Sequence, residues 1–313
     1  MSTHNNTIPT YDNCHEVTSF CKVEFTVFGD YLSKGASAFF VIAFFILLLM
    51  QLWYGIRGRM WSFMIWLGIG TLFELLGYIG RFAFAKNPWN MDAFLIQFIT
   101  LLLAPTLLAA AISITFKYLV IWYGTQWSMM RPKLYPLVFV GTDIISIFIQ
   151  VIGGGVMATS TTGKVNETTR KLGEGLVIGG VAFQVINMLC CATLMLIYAK
   201  RRRASLRVGF EHLDRVESPS VPLESSTTMA KRTRVFCITL AVAYTAIIIR
   251  CTYRIFESLP ATAAKVMRNE TLFYVFDGGL ILLATGLVTI FHPYRMFPAL
   301  GQKGKQEQHY GLQ

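Results

Sequence analysis

The sequence predicts an all-α polytopic membrane bundle of seven transmembrane helices, with the N-terminus outside and the C-terminus in the cytoplasm. Three observations predict it. Of 313 residues, 54% are hydrophobic and 14% charged; soluble domains carry about a quarter charged residues, so most of this chain is not a solvated surface. Apolar runs of about 20 residues, long enough to cross a bilayer core, recur with short polar gaps between them. Lys and Arg divide unequally between alternate gaps, and that bias orients the spans.

Residues 1–35 form a polar tail carrying Asp12, Glu16, Glu24 and Asp30. It has no basic start and no small-residue cleavage site, so it is not a signal peptide, and the first span itself directs insertion. Cys14 and Cys21 in this tail can close a small disulfide loop in an oxidising compartment; two free thiols or an intermolecular link are the alternatives. The spans are expected at 36–54, 62–84, 93–121, 135–159, 175–199, 234–257 and 271–292, making 36–292 one membrane domain. Residues 293–313 are a cytoplasmic tail.

With the N-terminus outside, sixteen Lys and Arg are cytoplasmic: Arg57, Arg59, Arg131, Lys133, nine over 200–234, and Arg295, Lys303 and Lys305. Eight face outward: Lys22, Lys34, Lys86, Lys164, Arg170, Lys171, Lys265 and Arg268. The positive-inside bias therefore selects this orientation. It also places the Asn-x-Thr glycosylation triplets at Asn5, Asn166 and Asn269 outside. The formal charge of +11 comes mainly from the segment beside the membrane, where anionic lipid rather than nucleic acid is the nearer partner.

The Ser-, Thr- and charge-rich stretch 200–233 reads as a mobile cytoplasmic loop. Within it, Arg202-Arg203-Ala204-Ser205 suits phosphorylation of Ser205, which would offset part of the basic cluster. A plain positive-inside anchor with an incidental serine accounts for the same residues. Cys190, Cys191, Cys237 and Cys251 fall in spans as small packing residues.

The spans carry ionisable residues whose burial in hydrocarbon is costly, so they face the bundle interior or a wet cavity. In the second span Glu74, Gly77, Tyr78 and Arg81 share one helical face. Arg250, Tyr253, Arg254 and Glu257 do the same in the sixth. The fourth holds Asp143 and Gln150 before Gly153-Gly154-Gly155, the fifth Gln184 and Asn187, and the seventh Asp277 beside Gly278-Gly279. The cluster is displaced toward the outer leaflet. Two readings compete: ion pairs that fix helix register, or a hydrated pocket for an amphipathic solute, lined by Glu74, Tyr78, Arg81, Asp143, Gln150, Gln184, Arg250, Tyr253, Arg254, Glu257 and Asp277.

Seven residues rise about 10.5 Å along a helix. If the second and sixth helices are neighbours, Glu74 should face Arg250 and Arg81 should face Glu257. Pro105 should kink the third span, and His292-Pro293 should end the last. There is no phosphate-binding Gly-x4-Gly-Lys loop, no zinc or redox spacing and no nucleophile elbow, so no ATPase domain, metal, cofactor or catalytic residue is expected.

Glu74-x-x-Gly77-Tyr78-x-x-Arg81, Asp143 through Gln150-x-x-Gly153-Gly154-Gly155, Arg250-x-x-Tyr253-Arg254-x-x-Glu257, Phe273-Tyr274-Val275-Phe276-Asp277 and His292-Pro293 together resemble the fungal lipid-translocating exporter family. These are seven-span proteins associated with aminocholesterol resistance. The likeness covers roughly residues 30–295. It implies a fungal plasma-membrane protein that moves, or confers tolerance to, sphingoid long-chain bases, sterol-like amphiphiles or porphyrins. A sphingoid base is cationic, so its ammonium would go to Glu74, Glu257 or Asp277, with Arg81, Arg250 and Arg254 holding those acids. The rival is a seven-span receptor or lipid sensor. Against a rhodopsin-like receptor, the third span lacks Asp-Arg-Tyr and the seventh lacks Asn-Pro-x-x-Tyr.

Overall fold

The computed structural model describes residues 9–293 except 10, 12, 27, 124–126, 132–133, 161–166, 214–222, 260–261, 263–265 and 267. Among these, regular structure is helical throughout. A short 3-10 turn (Val23–Phe25) precedes α1 (Lys34–Gly58), α2 (Trp61–Lys86), α3 (Met91–Tyr123), α4 (Leu134–Ser160), α5 (Glu167–Leu213), α6 (Leu223–Ser258) and α7 (Glu270–Ile290). Each contains a segment long and apolar enough to cross a membrane, and each of the seven expected spans falls on one of them.

Local chemistry sets the helix ends. Ser33 caps α1, its hydroxyl accepting the Ala36 N–H at 3.3 Å, which satisfies one of the donors a helix start leaves open. The helix stops at Arg59, whose left-handed backbone (φ 52°) returns its N–H to the Gly55 and Ile56 carbonyls. Asn90 begins α3 in the same manner as Ser33, accepting the Ala93 N–H at 3.0 Å.

Consecutive helices pack as neighbours, and α7 closes the ring by lying between α6 and α1. The central member is α3, with 61% of its span window buried against 22% for α1. It reaches across to α6, whose principal neighbours are α5, α7 and α3. The outer face is apolar, with Ile42, Phe45, Ile46, Leu49 and Trp53 of α1 all exposed, as lipid solvation requires.

The expected mobile loop over 200–233 is corrected. α5 continues to Leu213 and α6 already begins at Leu223, leaving only 214–222 between them, outside the described residues. Nine of the fourteen residues 200–213 are Arg, Leu, Lys, Ala or Glu, and these residues favour helix. A span already formed removes the nucleation cost, so the helix propagates beyond the apolar segment. Ser205 lies on this helical extension, its side chain outside the described residues.

The N-terminal segment folds over one end of the bundle. Cys14 and Cys21 are joined by a disulfide. The Trp89 indole N–H donates to the Cys21 carbonyl at 3.0 Å, and the Asn87 amide donates to the His15 carbonyl at 2.7 Å. Phe28 packs edge-on against Phe84, 5.4 Å between ring centroids. At the opposite end of α7, His292 is buried beside Phe63 and Tyr54.

Candidate functional site

The seventh helix is not a uniform α-helix. Phe273–Gly279 is π-helical, the Leu280 N–H bonding back five residues to Val275. Such segments are rare and concentrate at functional sites. This one carries Asp277, and the fit around Gly278 is tight: a Cβ there would collide with the Tyr78 hydroxyl and the Phe40 ring.

Asp277 is fully buried, with Oδ1 2.7 Å from Arg250 Nη2. Arg250, itself 2% exposed, also donates to the Leu101 carbonyl at 2.5 Å. That carbonyl is available for a chemical reason. In an α-helix it would accept the N–H of residue 105, but Pro105 has none. The α3 helix runs continuously through Pro105, and the orphaned acceptor is satisfied by α6. Proline thus writes a specific α3–α6 link into the bundle.

The expected cross-pairing of α2 with α6 is therefore corrected. Arg250 pairs with Asp277 rather than Glu74, because α7 packs against α6 and α2 does not rank among its principal neighbours. Arg81 pairs with Glu270 at 3.7 Å rather than Glu257. Glu257 instead accepts from Arg254 on its own helix at 2.8 Å.

Arg81 sits in an aromatic box. Its guanidinium lies 3.9 Å from the Phe273 centroid, 4.9 Å from Tyr274 and 5.5 Å from Phe28, and its Nε donates to the Tyr274 hydroxyl at 3.1 Å. Aromatic faces stabilise a cation that water no longer solvates. Arg254 lies over Phe98 at 4.9 Å. Tyr78 stacks on Phe40 with centroids 4.7 Å apart, and Tyr253 stacks on Phe276 at 5.5 Å.

Glu74 differs from the other acids. It is 0% exposed and, like Asp277, has no hydrogen-bond partner on either carboxylate oxygen among the described residues. No ion pair there includes it either, whereas Asp277, Glu257 and Glu270 each have an arginine. Toward the opposite end of the helices the lining turns mostly apolar, with Leu67, Leu108, Ile112, Ile247, Ala284 and Val288 beside Thr285, whose hydroxyl donates to the Ile281 carbonyl.

Of the eleven residues expected at one site, eight gather on α2, α6 and α7. Asp143, Gln150 and Gln184 belong to another network that ties α4 to α5 and α3. Asn187 Nδ2 donates to Asp143 at 2.7 Å. Gln150 donates to Gln184 at 3.1 Å, and Gln184 to Thr106 at 2.8 Å. Sequence reasoning missed the Arg81 aromatic box and Glu270. The signal was the Phe273-Tyr274 pair one helical turn after an acid, Glu270.

Among the modification candidates, Asn269 is exposed and caps α7, accepting the Leu272 N–H at 3.3 Å. Asn5 and Asn166 lie outside the described residues.

Comparison with known proteins gives a family. The model described as RTA1 like protein matches residues 67–300. The sphingoid long-chain base transporter RSB1 of Saccharomyces cerevisiae (strain Lalvin EC1118 / Prise de mousse) is 30% identical over 245 residues, covering 71% of this chain and 62% of that protein. The lipid-translocating exporter-like protein RTA1 of Leptosphaeria maculans is 28% identical over 285 residues, covering 83% of this chain and 50% of that protein. Protoporphyrin uptake protein 1 of Saccharomyces cerevisiae is 35% identical over 118 residues, 37% of each chain. The chain thus spans less than two thirds of the length of these relatives. No solved structure matches. The family match takes in α3 to α7 whole and the end of α2 that carries Glu74 and Arg81, and by it the chain belongs to the RTA1-like family.

Proposed function

We propose that this protein moves an amphipathic, lipid-like solute across the membrane, without an ATPase domain and without a chemical step. The candidates are a sphingoid long-chain base or a porphyrin, after the names of the relatives, or a sterol-like amphiphile, which the family resemblance implies. The observation that carries the reading is the polar column of α2, α6 and α7. It runs from the Arg81 aromatic box to Glu74 and gathers the buried arginines of the bundle with their acids. Intramembrane ionisable groups of this density mark solute paths. The ammonium of a cationic lipid is assigned to Glu74, the acid without a partner, while Arg250 and Arg254 hold Asp277 and Glu257. The lipid tail stays in the surrounding bilayer.

The loop charges favour an N-terminus outside and a C-terminus in the cytoplasm. The basic ends of α5 and α6, including Arg201, Arg202, Arg203, Arg232 and Arg234, then rest against anionic lipid. The plasma membrane is the compartment this reading assigns.

The test is reconstitution of the purified protein in liposomes with a labelled sphingoid base, a labelled sterol-like amphiphile or a porphyrin in separate runs. Protein-dependent movement of at least one between leaflets, reduced at least tenfold by Glu74→Ala, is the expected result. Saturable binding without movement overturns transport and identifies a lipid sensor.

A further inference from the structure

Charge arithmetic at the inner end of the polar column points to a specific coupling. The charged neighbours of Glu74 are Asp277 and the guanidinium of Arg250, and Asp277 also feels Arg254 and Arg81. Glu74, Asp277 and Arg250 are all buried. Arg250 is committed to Asp277 at 2.7 Å and to the Leu101 carbonyl, so Asp277 is neutralised and Glu74 is not. An ionised carboxylate with no hydrogen-bond donor and no dedicated cation is a state that buried groups do not sustain; it takes up a proton instead.

The surroundings supply no second positive charge, although the Tyr78 hydroxyl and the Arg250 Nε are without partners among the described residues. On α2 itself the near titratable groups are Tyr78 and Arg81, and Arg81 is engaged by Tyr274 and Glu270. The neighbouring turn of α2 meets Phe40 and Phe44 from α1, and Leu101 and Thr100 from α3, none of them ionisable. From α7 comes only Asp277, and from α6 only Arg250, the pair already closed.

We propose that Glu74 is a proton-for-cation exchange site: it holds a proton in the closed bundle and gives it up when the ammonium of a cationic amphiphile takes its place. The exchange balances. The Glu74 O–H bond breaks, its proton leaves to water, and the carboxylate left behind pairs with the incoming R–NH3+. One positive charge enters and one departs, so the buried site never carries an uncompensated charge. The inference rests on the transport reading for the identity of the ligand and goes beyond it in naming the proton as the counter-ion.

Two measurements on the full-length protein in lipid nanodiscs test it. First, infrared difference spectra of wild type against Glu74→Gln should contain the C=O stretch of a protonated carboxyl group assigned to Glu74, and adding a sphingoid base to wild type should bleach it. Second, the affinity of wild type for that base should rise about tenfold per pH unit while the amine stays charged, the slope for release of one proton. An N-acylated, uncharged analogue should show no slope, and Glu74→Gln should abolish it for the base. A Glu74 carboxylate in the ligand-free spectrum, or a flat affinity in wild type, overturns the proposal. The wild-type slope decides the matter even if Glu74→Gln fails to fold. Liposomes made from the same preparation separate the two readings. Movement of the base without the slope removes exchange and leaves transport; the slope without movement removes transport and leaves exchange.

Discussion

Arg250 is buried where three helices meet. It joins three helices, binding Asp277 of α7 and the Leu101 carbonyl that Pro105 leaves open in α3. Removing one member of a buried pair strands the other charge and typically costs about 3–5 kcal/mol. Arg250→Gln should therefore lower unfolding stability in detergent by about that amount, and Asp277→Asn by a comparable one. The double variant should lose clearly less than the sum of the two, because neither charge is then left alone. Additive losses in denaturant titrations would show that the pair does not act as a unit. The sequence made these residues legible as a face of α6 and an acid in α7, since the 3.6-residue period is a local property. It could not identify their partners. Depth matching made Glu74 and Arg250 look like a pair, but pairing depends on which helices touch, and α7 takes the place assigned to α2. Pro105 was legible as an irregularity; that its free acceptor meets Arg250 is a fact of tertiary packing.

At the scale of elements, two features depart from regular helices. The π segment of α7 sets Asp277 and Tyr274 in a register that an uninterrupted α-helix would not give, and Gly278 admits Tyr78 and Phe40 to its surface. Nothing in Phe273–Gly279 announces a five-residue hydrogen bond, because the same sequence satisfies the apolar pattern of an ordinary span. The other feature is the cap formed by the N-terminal segment, where the Cys14–Cys21 bridge, Trp89 and Asn87 hold the chain against the turn joining α2 to α3. A disulfide closing so short a loop contributes about 2–4 kcal/mol by restricting the open state. Cys14→Ser with Cys21→Ser should thus raise amide hydrogen exchange through residues 14–26 and 87–90, leaving α3 and α6 protected. Unchanged exchange in the cap would mean that Trp89 and Phe28 hold it without the bridge.

For the whole molecule, the decisive asymmetry lies along the bundle axis. The polar column occupies the half that the N-terminal cap covers, and a mostly apolar layer from Leu67 to Val288 closes the other half. A headgroup admitted to the column from the capped side therefore meets a barrier before it can leave by the far side. Helix count was legible because each of the seven apolar runs is long enough to cross a bilayer core. The segment 200–233 was not, because its composition reads as solvated while its helix-forming residues extend α5 and α6. Orientation is proposed on charge alone: sixteen basic residues in one set of gaps against eight in the other predict that the N-terminus, the cap and the column face outward. Seven spans put the two termini on opposite sides, so two insertion sites test the whole arrangement. A protease site or epitope near Ser218 should be reached only after the cytosolic face is opened, and one near Asn166 should be reached in intact cells. The reverse at both positions would invert the bundle and turn the polar column toward the cytoplasm. Access from the same face at both would break the seven-span count itself, since only α5 lies between them.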